Sequence, residues 1–325
     1  MVMPNFNYSA YIGEALSAMA EQSYPSLDII VVDDASTDDS VRIIESFIRK
    51  YPFIRLIRNE KNMGVNHSFN VGIRAATGDY LYCAASDDKV LPGFFERSMA
   101  MLEKNPSAGL SCGDIAILED GKSRDIRLHL CDGPTFFPPE RSVKVFEKFG
   151  FTPVLGNTAI LKLPYFLEAG GYMPELKWSA DSFVYNVLSF RYGFCYIPEV
   201  LSVARVHGQQ FGRTMASQSR HERELIRKIM DVAMEPRYSD VLPSFRKTAP
   251  FSSHSFDTFM VVMGDRKYRG FLSLKLIRYA IDDLVRRNAL AIIPLPITRA
   301  LQRFFNLLRG FKMRVRKMFG GSKHA

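Results

Sequence analysis

The sequence has little of what would place it at once in a common function class. Its four cysteines, Cys83, Cys112, Cys131 and Cys195, form no Cys-x-x-Cys pair and no zinc-like spacing. A disulfide scaffold and a structural zinc site are therefore excluded as organising features, and buried free thiols are expected. No Gly-x-Gly-x-x-Gly and no Gly-Lys-Ser/Thr pattern occurs, which argues against a nicotinamide dehydrogenase and a P-loop ATPase. Apolar runs stay below eighteen residues, and Met1 to Tyr11 has no basic region followed by an apolar stretch. Neither a membrane span nor a secretory signal is expected. Acids are missing altogether after Asp283, where ten of the 43 Lys and Arg residues lie, so the remaining 33 face all 34 acids. The net charge of +9 thus belongs to the tail, a distribution that suits an anionic membrane surface better than nucleic acid.

What is present is enough for an enzyme core: 325 residues with 47% apolar content can bury a large interior. In chain order, Met1–Met3 is extended, Asn5–Ser9 a loop, and Ile12, Ala15, Leu16 and Met19 the inner face of a helix. Leu27–Val32 predicts a buried strand that ends at Asp33-Asp34, and Val41, Ile44 and Ile48 mark the next helix. A strand over Phe53–Ile57, a loop over Asn59–Gly64 and a helix through Phe69, Gly72, Ile73 and Ala76 follow. Residues 1–104 therefore read as β-α-β-α-β-α-β-α with short apolar strands, the pattern of a covered parallel sheet. In such sheets ligands bind beyond the C-terminal strand ends, where Asp33, Asn59 and Asp87 fall.

The stretch Gly78-Asp79-Tyr80-Leu81-Tyr82-Cys83-Ala84-Ala85-Ser86-Asp87-Asp88 is a turn, a buried strand and two adjacent carboxylates. Paired acids in a partly dry crevice need a cation or hydrogen-bond donors beside them. A Mg²⁺ or Mn²⁺ ion holding a diphosphate would serve; exposed turn acids capping the next helix would look the same.

These pieces together resemble a known family. Pro4-Asn5-Phe6-Asn7, Gln22-Ser23-Tyr24-Pro25, Ile29–Asp38, Asn62-Met63-Gly64, Asn70-Val71-Gly72, Ala76–Tyr80 and Ser86-Asp87-Asp88 are similar, in identity and order, to the inverting family 2 glycosyltransferases with the GT-A fold. The likeness runs to about His207. It implies an α/β fold of GT-A type, a mostly parallel sheet flanked by helices, with a helical, basic C-terminal extension. The implied domains are 1–210, divided into a nucleotide half 1–104 and an acceptor half 105–210, and an extension 211–325 with a basic amphipathic tail.

By the same resemblance, Pro4, Asn5, Phe6, Asn7, Asp33, Asp34, Asn62, Asn70, Ser86, Asp87, Arg205 and His207 bind the donor, with Asp33 accepting from the base. Asp87, Asp88 and His207 hold Mg²⁺ or Mn²⁺. The chain departs from the pattern where Ala85 replaces the first acid of the Asp-x-Asp element. Gly156, Asn157 and Trp178 face the acceptor. For Gly156-Asn157 a tight loop feeding the next strand reads equally well, and for Trp178 a half-buried aromatic does. Asp181 begins the helical pattern Phe183, Val184, Val187, Leu188, so it reads as a helix-start acid; the resemblance makes it the general base.

The implied function is inverting transfer of a sugar from a nucleoside diphosphate sugar, with a UDP-sugar as the expected donor, to an acceptor hydroxyl in polysaccharide or envelope glycan synthesis. The alternatives are a nucleotide-sugar-binding protein with a degenerate metal site and a nucleotidyltransferase. Partners are the donor, a glycan or lipid-linked acceptor, and an anionic membrane surface met by the amphipathic stripe Leu301, Phe304, Phe305, Leu308, Phe311; no nucleic acid is expected. The implied location is cytoplasmic and peripheral on the inner face of the cell membrane.

Overall fold

A computed structural model describes residues 1–208, 222–248 and 255–286. Its first sheet has three parallel strands, β1 (Val2–Asn5), β2 (Ile29–Asp33) and β3 (Ile54–Arg58), with β2 central. Every residue of β2 is buried, which is why its sequence is an unbroken apolar run closed by one acid. Helices α1 (Ile12–Ala20), α2 (Ser40–Lys50) and α3 (Val65–Ala75) supply the crossovers. α1 buries Ile12, Ala15, Leu16 and Met19, the face its spacing predicts. In α3, a Cβ on Gly72 would lie 2.3 Å from a methyl of Val2 and 3.0 Å from one of Val32, so glycine alone lets this helix approach β1 and β2 so closely.

The second sheet contains β4 (Tyr80–Tyr82), β5 (Lys89–Val90), β6 (Leu110–Glu119), β7 (Lys122–Ile126), β8 (Thr135–Phe137), β9 (Ile160–Lys162) and β10 (Phe194–Val206). Its order is β4-β9-β6-β10-β5, with β7 on β6 and β8 on β10. Only β6 and β10 pair in parallel here; the other pairs are antiparallel. The sheet topology is thus mixed, which corrects the mostly parallel arrangement expected. Asp120-Gly121, both at positive φ, turn β6 straight back into β7, and a two-residue connection can join only antiparallel strands.

A parallel bridge between Val2 and Cys83, with the Ala84 N–H donating to the Val2 carbonyl at 2.9 Å, joins the two sheets. This brings the end of β1 beside the segment that follows β4. Helices α4 (Phe94–Lys104), α5 (Pro139–Phe149), α6 (Leu163–Glu168) and α7 (Ala180–Tyr192) cover the second sheet. Two further helices, α8 (Glu222–Ala233) and α9 (Leu242–Thr248), belong to the same compact unit, which extends to Pro250. Phe245 stacks on Phe183 with ring centroids 5.2 Å apart, Arg191 pairs with Asp240 at 2.7 Å, and the Tyr238 hydroxyl donates to the Ala169 carbonyl. Beyond the boundary expected at residue 210, Tyr238 and Phe245 pack against Phe183 of α7.

The described residues of the second unit form an α-hairpin of α10 (Ser255–Gly264) and α11 (Leu274–Arg286), joined through a 3₁₀ turn at Arg266–Phe271. Among the described residues, no helix is long and apolar enough to cross a membrane. The amphipathic tail expected over 301–319 lies outside the described residues.

Candidate active site

At the C-terminal edge of the first sheet, polar side chains bind one another. Asn5 and Asp33 are register partners on β1 and β2. The Asn5 amide donates to one Asp33 carboxylate oxygen at 2.9 Å, and the other accepts the Ser36 N–H at 3.0 Å. Asn7, at φ 55°, donates its N–H to the Ser36 hydroxyl and accepts the Thr37 N–H on its side-chain oxygen. Asp34 accepts the Asn59 side chain at 2.7 Å and the backbone N–H groups of Met63 and Gly64. Asn62 caps the same turn through Gly64, while Asn70 donates to the Tyr172 carbonyl.

Asp33 has 0% exposure and both of its oxygens are used inside the protein. Asp33, expected to accept from the nucleotide base, holds Asn5 and the Ser36 turn together at this edge. Pro4 and Ser86 are also buried. By contrast, Phe6 (41% exposed) and Met63 (47%) present apolar surface at this edge.

The second cluster surrounds Asp87 and Asp88. β10 pairs Val203 with Lys89, and that register carries Arg205 past the two acids. Asp88 accepts the Arg205 backbone N–H at 2.8 Å and the side-chain amide of Asn157. Burial, and next the neighbouring charge of Asp87, push the Asp88 carboxyl up to about 7. Asp87 lies 3.0 Å from His207 Nε2. The His207 ring stacks on Tyr11 at 4.7 Å and meets Tyr8 edge-on at 5.6 Å. Arg205 donates from Nε to the Asp87 carbonyl, covers the other ring system at Tyr11 from 5.0 Å, and pairs with Glu14. Its guanidinium thus works as a brace.

Could these residues hold a divalent ion? Among the described residues, no group of three or more His, Cys, Asp and Glu side chains is arranged for a metal. Asp87 and His207 offer one carboxylate and one imidazole side by side, and Ala85 offers no donor. Such a two-donor set fits a hard cation that completes its shell with diphosphate oxygens and water. Asp88, expected as a ligand, accepts the Asn157 side chain and the Arg205 N–H, one on each oxygen.

The third cluster is built on α7. Asp181 stands in its first turn, and its Oδ1 accepts the N–H of Ser182 at 2.5 Å and the Ser182 hydroxyl at 3.2 Å. Burial pushes its carboxyl above the usual range. Its Oδ2 faces Gly156: a Cβ there would lie 3.7 Å from this oxygen and 3.2 Å from the Tyr185 hydroxyl. The next residue, Asn157, accepts the Tyr82 hydroxyl on its carbonyl at 3.0 Å while its side chain holds Asp88. One dipeptide therefore lies beside Asp181 and holds Asp88. Asn157, expected to face the acceptor, makes both of these bonds within the protein. Trp178 is half-buried in a 3₁₀ turn, after Lys177 at φ 49°, whose carbonyl accepts from Asn66.

Sequence reasoning missed Tyr8, Tyr11 and Glu14. The three-residue spacing of the tyrosines around the start of α1 was the available signal, but nothing in it named His207 as their partner.

Residues 1–155 match the sequence profile described as Glycosyl transferase family 2. An uncharacterized glycosyltransferase of Escherichia coli K12, YibD, is 25% identical over 268 residues, which span 78% of this chain and 76% of that protein. The glycosyltransferase GlyG of Streptococcus pneumoniae is 33% identical over 96 residues, 30% of this chain and 32% of GlyG. Among solved structures, residues 1–349 of Staphylococcus aureus TarS in complex with UDP-GlcNAc superpose with a TM-score of 0.61 at 16% identity, covering 87% of this chain and 84% of that one. The mannosyltransferase PcManGT of Pyrobaculum calidifontis, in complex with GDP-Man and Mn²⁺, gives 0.56 at 18% identity, covering 99% and 87%. The two structural likenesses are likenesses of fold. Taken with the match over residues 1–155, they mean that the chain carries a family 2 glycosyltransferase domain of GT-A-like α/β architecture, and that the protein is a glycosyltransferase.

Proposed function

We propose that the protein transfers a sugar, with inversion, from a nucleoside diphosphate sugar to an acceptor hydroxyl, and that Asp181 is the general base. The observation that carries this reading is the Gly156-Asn157 dipeptide. It sets a carboxylate with a raised pKa on one side and the Asp87-Asp88-His207 cluster on the other.

Ser182 fixes Oδ1 of Asp181 and leaves Oδ2 beside Gly156. There Oδ2 takes the acceptor hydroxyl proton while the acceptor oxygen attacks the anomeric carbon from the face opposite the diphosphate. The glycosidic C–O bond breaks, and its electron pair leaves with the nucleoside diphosphate. A raised pKa brings the base closer to neutral pH, where proton transfer is more effective. A divalent ion held by Asp87 and His207 would neutralise charge on the departing diphosphate. Phe6 and Met63, exposed beside the loops that Asp33 and Asp34 brace, are placed to flank the nucleoside.

A UDP-sugar is the donor we favour, supported by the fold shared with TarS, solved with UDP-GlcNAc; GDP-Man in PcManGT makes GDP-sugars the comparison to run. A glycan or lipid-linked acceptor in polysaccharide or envelope glycan synthesis, used at the inner face of the cell membrane, completes the reading.

The test is a screen of UDP- and GDP-sugars against glycan and lipid-linked acceptors, following nucleoside diphosphate release and product mass. Release that requires an acceptor, with a product heavier by one sugar residue, is expected. Donor binding with no acceptor-dependent release from any pair would contradict the proposal.

A further inference from the structure

Half of the large apolar side chains that stand exposed among the described residues belong to the small unit of α10 and α11: Met260, Met263, Leu272 and Leu274. Leu274 is 86% exposed and Met263 54%. The hairpin is antiparallel, since the Phe256 N–H at the start of α10 donates to Asp283 near the end of α11 at 3.1 Å. That bond marks one end. Met263, Leu272 and Leu274 collect at the other end, around the 3₁₀ turn Arg266–Phe271. Inside the hairpin, Val261, Val262, Tyr268, Phe271 and Leu276 are already buried. The exposed four therefore carry apolar surface beyond that core, Leu274 nearly all of its own.

Cations surround them. Arg266, Lys267 and Arg269 are exposed in the turn, and Arg278 is exposed one helical turn beyond Leu274. The one acid of the turn, Asp265, accepts the backbone N–H of Lys267, and Asp282 lies 3.9 Å from Arg278. The tip thus combines protruding apolar side chains with an excess of positive charge. Its size separates the possible occupants. Exposed area equal to roughly two whole side chains, on the order of 400 Å², is well short of the ~800 Å² per partner of a stable protein interface. It suffices for shallow entry into a bilayer interface, where cations beside the apolar groups meet phosphate head groups.

We propose that the tip of this hairpin is a membrane-contact surface for anionic phospholipid, with Leu272 and Leu274 entering the interface and Arg266, Lys267 and Arg269 meeting lipid phosphates. The surface is built from residues that precede the basic tail in sequence and does not depend on which donor or acceptor the enzyme uses.

Flotation of the full chain with phosphatidylcholine vesicles, with and without phosphatidylglycerol, tests it. Wild type should partition more strongly as phosphatidylglycerol is added. The double variants Leu272→Ser/Leu274→Ser and Arg266→Glu/Arg269→Glu should each lower partitioning by about tenfold or more. Both should keep the wild-type circular-dichroism melting curve, because the side chains replaced are exposed. The proposal is overturned if wild type shows no preference for anionic vesicles, or if both variants float like wild type, as they would were residues 287–325 the sole attachment. It is equally overturned if sedimentation velocity shows a dimer that the leucine variant abolishes while vesicle binding stays unchanged.

Discussion

The two acidic clusters of the first unit are built in opposite ways. At the edge of the first sheet, the buried carboxylate of Asp33 is satisfied by Ser36, three residues on, and by Asn5, 28 residues back on the neighbouring strand. In the acid pair that follows β4, Asp88 depends on Asn157, 69 residues away, and on Arg205, 117 away. The first cluster is a loop brace made as the parallel strands pair. The second exists only when β10 and the loop before β9 have arrived. Removing a member of the first should therefore damage the fold, and removing a member of the second should damage the reaction.

Asp33→Ala offers the largest test of that contrast. It removes the acceptor of the Ser36 N–H and one of the two acceptors of the Asn5 amide, which keeps the Ser36 hydroxyl, in a buried site, so a loss of about 2 kcal/mol is expected. Urea unfolding measures it; a variant as stable as wild type would erase the distinction between the two clusters. Asn157→Ala comes next. The loop before β9 is also held by the bonds of Thr158 to Gly113 and Leu155, so stability should fall by only about 1 kcal/mol while turnover drops about tenfold. Equal turnover in the folded variant would show that the Asn157–Asp88 link is not used in catalysis. Gly156→Ala should have the smallest effect. Its Cβ would make ordinary contact with Asp181 but crowd the Tyr185 hydroxyl, so a several-fold rise in acceptor KM with unchanged donor KM is expected.

The same contrast explains what could be read from the sequence. β2 was legible because an apolar run closed by Asp33-Asp34 has few other readings, and α1 because Ile12, Ala15, Leu16 and Met19 keep helical spacing. Asp181 was legible as the acid that opens the helical pattern of α7. β7 was not, since four of its five residues are exposed and no alternation marks it. α5 hid behind Pro138-Pro139, which reads as a loop although a proline fits the first turn of a helix. The mixed second sheet depends on pairings between strands far apart in sequence, such as β4 with β9, and local pattern carries no record of them. The hydrogen-bond partners of Asp33, Asp88 and Asn157 were not legible for a related reason: a motif fixes the residue type, whereas its partner is fixed by topology.

The account rests most heavily on Asp181 as a base with a raised pKa, and the pH dependence of kcat tests this directly. A base must be deprotonated to act, so activity should be lost as pH falls through the folded-state pKa. Because burial raises that pKa, the acidic limb should lie above the usual carboxylate range near 4. Asp181→Asn should cut kcat by roughly 10² or more and remove the limb, with donor KM close to wild type. A folded Asp181→Asn variant with near-normal kcat and the same acidic limb would contradict the account.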